Sequence, residues 1–388
     1  MILPDYRAGS IVNLMQSIAR GFGGAAADRH YQPLALAPPE LFGASRKVVL
    51  LVIDGLGHEY LVGEAGDGAL NEHLRGRLTS VFPSTTATAI TTFLSGDAPQ
   101  QHGLTGWYMW FREIGLVAAP LPFTTRAGGV PLTSTGVDAP RLFASRAFAD
   151  GIAGRCFIVQ RRDLVDSSYT RAFQGKAEVR GYRTLQGFFD VVRDIVIGDA
   201  SCFVYAYWPE LDAMCHRFGA ADGRTRAHLR QLDARFAGFL DALRGSGATV
   251  VLTADHGFID TVPATRLELE HHPRLAESLV LPLCGEGRAV FCYVDPAKRA
   301  QFESYVSEEL GERCVAVAKE ALLAQGYFGL GPAHPRLAER IGDYALIMKD
   351  NFVLRDRLLG ERERHVHIGV HGGTSSAEMY VPLVVAQP

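Results

Sequence analysis

The chain has 388 residues, of which 47% are hydrophobic and 21% charged, as is ordinary for a folded globular protein. Its 39 basic and 42 acidic residues leave a formal net charge of −3, which excludes the strongly basic balance of many nucleic-acid-binding proteins. The six cysteines include no CxxC pair, no apolar run is long enough to cross a membrane, and the first residues lack an apolar signal segment. We therefore expect a cytoplasmic protein with neither a membrane nor a polymeric nucleic-acid partner.

From Lys47 onwards, short apolar runs alternate with helical stretches, and we predict one main domain over residues 46–388 after an N-terminal leader over residues 1–45. The predicted helices are Ile11–Arg20, Thr86–Leu94, Leu185–Val196 and Arg226–Leu243. The predicted strands are Val48–Ile53, Cys156–Val159, Cys202–Tyr207, Thr249–Leu252, Ala289–Val294, Ala345–Ile347 and Val381–Val385. Continuous apolar runs such as VVLLVI suit strands that are buried on both faces of a parallel sheet. We predict an α/β fold, a three-layer sandwich with a central, largely parallel sheet between helices.

Two stretches depart from this alternation of apolar runs and helical segments. Thr105–Asp150 is rich in aromatic residues, proline and glycine, and follows the predicted helix at Thr86–Leu94, so it is placed to wall a pocket. Residues 271–358 have a strand–helix–strand pattern of their own, which predicts a small inserted cap subdomain.

Residues of the types that bind metal ions stand beside several of the predicted strands. Three clusters of them follow a strand directly or closely. These residues are Asp54, Asp212, His216, Asp255, His256 and His371. In an open α/β sheet, ligands bind outside the carboxyl ends of the strands, so one pocket can collect all six. Each cluster alone is more typical of a turn or a helix cap, but together they complete two three-residue sets.

The first set is Asp54, Asp255 and His256, and the second is Asp212, His216 and His371. Mixed carboxylate and imidazole ligands suit Zn²⁺, with Mn²⁺ as the alternative, better than Ca²⁺. Two such ions about 4 Å apart stabilise both the attacking and the leaving oxygen of a phosphoryl transfer. The sequence therefore predicts a site for two divalent metal ions.

The segment FPSTTATAITTFLSG supplies a nucleophile at the start of a predicted helix. Free amides and the helix dipole favour a phosphate anion there. Thr86 is the predicted nucleophile and Thr85 is the alternative. Trp107 and Tyr108 come soon after this helix, and we expect Thr105–Phe123 to line the leaving-group side of the pocket.

Five blocks of this sequence together resemble the alkaline phosphatase superfamily, and most of all its nucleotide pyrophosphatase/phosphodiesterase branch. The blocks are VVLLVIDGLG, TSVFPSTTATAITTFLSGDAPQQHGLTG, LDAMCH, TADHGF and VHGGTSSAEMYVPL. The resemblance implies two zinc ions, a covalent phospho-enzyme and a sheet sandwiched by helices. It also implies that the nucleophile joins the first ligand set and stands ten residues before the glycine of LSG, at Thr86.

The sequence departs from that branch in one respect. The branch often carries an asparagine that contacts a phosphoryl oxygen, where this chain has Trp107. Arg161 and Arg162 are the candidates for clamping a phosphomonoester. The nucleophile segment also lacks the CxPxR-type motif of sulfatases, which argues against sulfatase chemistry.

The sequence predicts a two-metal phosphodiesterase or nucleotide pyrophosphatase that acts on a small-molecule phosphate ester through a phosphothreonine. A phosphomonoesterase, phosphonate hydrolase or phosphomutase on the same scaffold is the alternative. A non-enzymatic metal-binding scaffold comes third, because such a protein has no use for Thr86.

Overall fold

The computed structural model describes residues 1–24, 27–43, 46–358 and 366–388. The strands are β1 (Lys47–Ile53), β2 (Leu74–Thr79), β3 (Met109–Phe111), β4 (Leu116–Ala119), β5 (Thr124–Thr125), β6 (Arg155–Arg161), β7 (Glu178–Tyr182), β8 (Cys202–Trp208), β9 (Thr249–Thr253), β10 (Ile259–Asp260), β11 (Arg266–Glu268), β12 (Cys284–Gly285), β13 (Ala289–Cys292), β14 (Cys314–Ala318), β15 (Tyr344–Met348), β16 (Val353–Arg355), β17 (Gly369–Val370) and β18 (Tyr380–Ala386). The helices are α1 (Ile11–Gly21), α2 (Pro39–Gly43), α3 (His58–Glu64), α4 (Ala69–Glu72), α5 (Thr86–Ser95), α6 (Pro99–His102), α7 (Ala139–Phe143), α8 (Ser168–Phe173), α9 (Leu185–Gly198), α10 (Glu210–Phe218), α11 (Gly223–Ala242), α12 (Pro273–Ala276), α13 (Arg299–Glu309), α14 (Lys319–Ala324), α15 (Leu337–Arg340) and α16 (Ser376–Met379).

The central sheet has seven strands in the order β2–β18–β9–β1–β8–β6–β7. Strand β18 runs antiparallel to both of its neighbours, and the other strands are parallel to one another. Its middle strands are buried along nearly their whole length, and helix α9 packs against β6 and β8. The predicted α/β fold with a largely parallel central sheet is therefore confirmed.

The two edge strands of this sheet, β2 and β7, were not among the predicted strands. In β2, exposed and partly buried residues alternate before two buried ones, and β7 also alternates. An edge strand has one side open to solvent, so it lacks the continuous apolar run of a central strand. Because these segments contain polar residues, a search for continuous apolar runs does not predict them as strands.

The antiparallel direction of β18 decides where the loop before it lies. Tyr380, at the start of β18, pairs with Thr79, at the end of β2. The start of β18 therefore lies at the same edge of the sheet as the carboxyl ends of the parallel strands. The loop that carries His371 leads into the start of β18, so this loop lies at that edge.

Residues at the N-terminus are packed into this core. Every residue from Ile11 to Ala19 of α1 is buried. Its polar side chains form hydrogen bonds inside the protein: the Asn13 amide donates to three backbone carbonyls and the Gln16 amide to the Gly96 carbonyl. The helix predicted near Ile11–Arg20 is present, and the leader boundary at residue 45 stays a prediction.

A second, antiparallel sheet lies within residues 271–358, in the order β12–β13–β15–β14. Helix α13 contributes Phe302, Tyr305 and Val306 to an apolar cluster that β13, β14 and β15 share. We call this four-stranded sheet with its helices the cap. Its standing as an inserted subdomain remains a prediction, but its position over the central sheet's edge matters for the site.

Two further observations concern the cysteines and the helices. All six cysteines are buried and free of disulfides. In the part of the chain that the structure describes, no helix has both the length and the apolar character to span a bilayer.

Candidate active site and metal centre

The first predicted ligand set meets at the ends of β1 and β9. The Nε2 atom of His256 lies 3.4 Å from Oδ1 of Asp54 and 3.3 Å from Oδ2 of Asp255. The side chains of all three residues are almost completely buried. The hydroxyl of Thr86 is 3.1 Å from the same His256 nitrogen, so the nucleophile candidate belongs to this cluster.

The second predicted set meets beside the first. Nε2 of His216 is 3.4 Å from Oδ1 of Asp212, and Nε2 of His371 is 3.3 Å from Nε2 of His216. The ring of His371 stacks on the ring of His256 with 3.7 Å between centroids. The ligand atoms of Asp212, His256 and His371 all lie within 4.8 Å of one another, so the two sets form one continuous centre.

Local geometry explains how the chain aims these side chains. Asp212 and His216 lie four residues apart on α10, which places them on one face of a helix. Gly55 has a φ of +75°, and a Cβ there would lie 2.4 Å from the Phe258 ring. A Cβ on Gly257 would lie 2.0 Å from the Ala377 carbonyl oxygen. Both loops therefore need glycine, and Gly257 needs it for close approach.

The centre contains buried oxygens that the protein does not satisfy. Within the described residues, Oδ1 of Asp54, Oδ1 of Asp212 and Oδ2 of Asp255 are buried without a hydrogen-bond partner. These are the oxygens that face the histidine Nε2 atoms. Unpaired buried carboxylates are costly, and a bound cation removes that cost. The residues present fit divalent metal ions.

Several candidate ligands also form hydrogen bonds through atoms that face away from the centre. The Tyr207 hydroxyl donates to Oδ2 of Asp54. Nδ1 of His216 is 2.9 Å from the Gly369 carbonyl oxygen, and Nδ1 of His256 is 3.1 Å from the Gly257 carbonyl oxygen. Such bonds orient each of these two imidazoles with Nε2 towards the centre, as they do for histidine ligands in many metal sites.

The electrostatics of the centre also favour cations. Burial and the nearby charges of Asp212 and Asp255 raise the pKa of Asp54 well above its ordinary value. Burial also raises the pKa of Asp212, although His216 and His256 oppose it. Burial, followed by the two neighbouring histidines, lowers the pKa of His371. These shifts disfavour a charged His371 and disfavour ionised carboxylates unless a cation lies beside them.

Thr85 and Thr86 face different partners. Thr86 is the first residue of α5, and its hydroxyl faces His256. Thr85 precedes the helix, and its hydroxyl donates to Oε1 of Glu286 over 2.5 Å. This geometry favours Thr86 as the nucleophile, because only its hydroxyl is in contact with the predicted metal ligands.

A cleft of about 300 Å³ opens between the metal centre and the cap. Trp107 and Tyr108 line it together with Thr86. Two other aromatic residues of Thr105–Phe123 lie elsewhere. Phe111 is buried beneath the Arg340 guanidinium, and Trp110 packs against the cap, so neither of them lines the leaving-group side.

Arg161 and Arg162, the candidates for binding a phosphomonoester, also lie outside the cleft. Arg161 pairs with Asp163 and Glu210, and neither Arg161 nor Arg162 lines the cleft. The cleft arginines are Arg126, Arg288 and Arg355.

Sequence analysis missed Arg288 and Glu286, since both come from a turn of the cap with no recognisable motif. Arg288 forms a bidentate pair with Glu378, at 3.0 and 2.8 Å. Glu378 could have been found, because Ser375 and Glu378 have the spacing of a helix capping box.

Comparison with known families identifies a family that matches most of the chain. The model of a family described as type I phosphodiesterase / nucleotide pyrophosphatase matches residues 48–374, most of the chain. Comparison with curated individual proteins gives no significant match.

Solved structures with the same fold include enzymes of two kinds. An inactive form of murine ectonucleotide pyrophosphatase/phosphodiesterase 5, in complex with AMP, is 13% identical, with a TM-score of 0.63 over 87% of each chain. The human protein of that name is also 13% identical, with a TM-score of 0.63 over 88% of each chain. Phosphonoacetate hydrolase from Sinorhizobium meliloti 1021, in complex with phosphonoacetate, is 17% identical, with a TM-score of 0.64 over 87% of this chain and 89% of that one.

Proposed function

The chain belongs to the type I phosphodiesterase / nucleotide pyrophosphatase family, whose members are metal-dependent phosphoric ester hydrolases, and on that premise we propose that it hydrolyses small phosphodiesters through a covalent phosphothreonine on Thr86. The observation that carries this proposal is the 3.1 Å contact between the Thr86 hydroxyl and His256, at the junction of the two ligand sets.

The proposed reaction consists of two displacements at phosphorus. The Thr86 hydroxyl loses its proton to solvent, its oxygen forms a bond to phosphorus, the bond to the leaving oxygen breaks, and that oxygen takes a proton from solvent. Water then attacks phosphorus and loses a proton to solvent, the bond between phosphorus and the Thr86 oxygen breaks, the Thr86 oxygen takes up a proton, and a phosphomonoester is released. The first amides of α5 stabilise the phosphoryl oxygens. Bound in the two ligand sets, divalent ions would supply positive charge that neutralises the phosphoryl group and favours ionisation of the nucleophile.

We propose that two Zn²⁺ ions bind per chain, with Mn²⁺ as the alternative. Asp54, Asp255 and His256 would hold one ion. Asp212, His216 and His371 would hold the other. Elemental analysis after chelation and reconstitution should find two ions per chain in the wild type and fewer in His371→Ala. A maximum of one ion, unaffected by His371→Ala, would contradict the proposal.

A diester suits this site better than a monoester. Two of the three arginines that line the cleft, Arg288 and Arg126, are already paired with Glu378 and Asp356. Neither is available to clamp a second phosphoryl charge without breaking a buried ion pair, which is costly.

The direct test compares bis(p-nitrophenyl) phosphate with p-nitrophenyl phosphate on the chelated and the reconstituted protein. We expect turnover only after metal is restored, with a higher kcat/KM for the diester. A preference for the monoester would favour a phosphomonoesterase or phosphomutase. Metal binding without turnover of either ester would favour a non-enzymatic scaffold.

We further propose a cytoplasmic location, because six free cysteines suit a reducing compartment. Fractionation of the source cells tests it, and recovery of the protein outside the cytoplasmic fraction would contradict it.

A further inference from the structure

The carboxylate of Glu286 reaches the cleft from the cap. It stands in the turn between β12 and β13, and Oε1 accepts hydrogen bonds from the Thr85 hydroxyl at 2.5 Å and the Trp107 amide at 3.1 Å. Thr85 directly precedes the proposed nucleophile Thr86. The carboxylate therefore lies next to the place where a phosphoryl group would bind.

The backbone around Glu286 holds it in that place. Gly285 and Tyr108 exchange two backbone hydrogen bonds, of 2.7 and 3.3 Å. A Cβ on Gly106 would lie 2.5 Å from the Gly285 Cα, and a Cβ on Gly372 would lie 2.7 Å from the Glu286 Cβ. The turn is thus pressed between the loop after α6 and the loop that carries His371.

No cation neutralises this carboxylate within the described part of the chain. Glu286 forms no salt bridge there, and its second oxygen has no hydrogen-bond partner among those residues. The nearby Arg288 is engaged by Glu378 through both carboxylate oxygens. Burial raises the pKa of Glu286 to about 7, so above that pH Glu286 brings to the cleft a negative charge that no cation of the described residues compensates.

From this geometry we propose that Glu286 is a specificity-determining residue that disfavours phosphoryl groups with two negative charges. The inference rests on the proposed function and deepens it by naming a residue that sets the preference for singly charged phosphodiesters. A diester phosphoryl group has one anionic oxygen, whereas a monoester at alkaline pH has a second charge. That second charge is repelled by the carboxylate in a partly buried cleft, where screening is weaker than in water.

The test uses Glu286→Gln in the zinc-reconstituted full chain at alkaline pH. Glutamine keeps an oxygen that accepts from Thr85 and Trp107 but removes the charge. We expect the ratio of kcat/KM for p-nitrophenyl phosphate to kcat/KM for bis(p-nitrophenyl) phosphate to rise on the order of tenfold. An unchanged ratio would overturn the inference. Glu286→Ser serves as a second neutral variant if the glutamine variant does not fold.

Two further variants separate charge from positioning. Thr85→Val removes the hydrogen bond but keeps the charge of Glu286, so the ratio should stay at the wild-type value. If Thr85→Val changes the ratio as Glu286→Gln does, Glu286 acts by positioning Thr85 and the charge argument is wrong. Glu339→Gln removes a carboxylate outside the cleft and should leave the ratio unchanged.

Binding of inorganic phosphate keeps this inference separate from the proposed function. If the wild type hydrolyses neither ester, the proposed function fails, but titration calorimetry with inorganic phosphate still decides the role of Glu286. At alkaline pH phosphate has two charges, and Glu286→Gln should bind it about tenfold more tightly than the wild type. Equal Kd values would overturn the inference even if the wild type is an active diesterase.

Discussion

Thr85 and Thr86 are identical in side chain and adjacent in sequence, yet their hydroxyls face different groups. Thr86 contacts His256 in the metal centre, whereas Thr85 contacts Glu286 in the cap. The difference arises at the start of α5, where Thr85 has an extended backbone and Thr86 a helical one. Their roles should therefore separate cleanly.

Replacing Thr86 by alanine should abolish turnover and leave the metal content near the wild-type value. Loss of a covalent nucleophile costs on the order of 10³-fold or more in kcat, whereas one neutral oxygen contributes little beside six stronger ligands. Steady-state kinetics with elemental analysis measure both effects. Near-native activity in Thr86→Ala, with loss of activity in Thr85→Ala, would assign the nucleophile to Thr85.

Tyr207 and Tyr205, on the same buried strand β8, form a matched pair for testing support of a ligand. The Tyr207 hydroxyl donates to Asp54, while the Tyr205 hydroxyl has no partner among the described residues. Tyr207→Phe should weaken metal affinity by roughly 10- to 100-fold, as the loss of such supporting bonds does elsewhere. Tyr205→Phe should leave it unchanged. Competition with a chromogenic chelator measures both, and equal effects would refute this role for Tyr207.

At the scale of elements, the segment after α6 divides its aromatic residues between the cleft and the packing. Trp107 is 37% exposed and lines the cleft, whereas Phe111 is fully buried. Trp107 precedes β3 and Phe111 ends it, so the segment passes from the cleft into the protein interior along this strand. The start of the segment can contact a substrate, and its end packs inside the protein.

Trp107→Ala should raise KM for aryl or nucleotide diesters about tenfold, since stacking on one ring contributes about 1–3 kcal/mol in nucleic-acid binders. The KM for a small alkyl diester should change much less, because such a substrate has no ring to stack. Tyr108→Ala should act in the same direction. Trp110→Ala is the control, because Trp110 lies outside the cleft. Equal losses on both substrate classes, with a lower Tm, would favour a packing role for Trp107.

At the scale of the whole molecule, the buried pair of Arg288 and Glu378 joins the cap to the central sheet. Glu378 also accepts hydrogen bonds from the Gly373 amide and the Ser375 hydroxyl. Burial alone would raise the pKa of Glu378, but Arg288 and these hydrogen bonds lower it below its ordinary value of 4.5. One carboxylate thus orders the loop next to His371 and holds the cap above it.

Glu378→Gln should lower the free energy of unfolding by about 3–5 kcal/mol, because it leaves the Arg288 charge buried and unpaired. The native pKa is depressed, so the stabilisation by Glu378 is complete above pH 4.5 and is lost as the pH falls through the native pKa. Denaturant unfolding across this range should show a difference between wild type and variant that shrinks in acid. Glu339→Gln, at an exposed pair, should change stability by less than about 1 kcal/mol. A difference that does not depend on pH would contradict the assigned role.

The sequence by itself determined the inner strands of the central sheet and the types of residue at the carboxyl ends of its parallel strands. Asp54 and Asp255 follow apolar runs that suit buried strands, and parallel strands bring their carboxyl ends to one edge. That reasoning needs no knowledge of contacts, and the resemblance of five sequence blocks indicated the family.

Only the tertiary structure decided which residues of the cap meet the centre. Glu286 and Thr85 are 201 residues apart, and Arg288 and Glu378 are 90 apart, so no local pattern reports either contact. The same limit explains why the candidate Arg161 and the aromatic residues Trp110 and Phe111 of Thr105–Phe123 lie outside the cleft. Whether a charge faces substrate or a buried partner depends on how the cap packs against the sheet, and that packing is set by contacts distant in sequence.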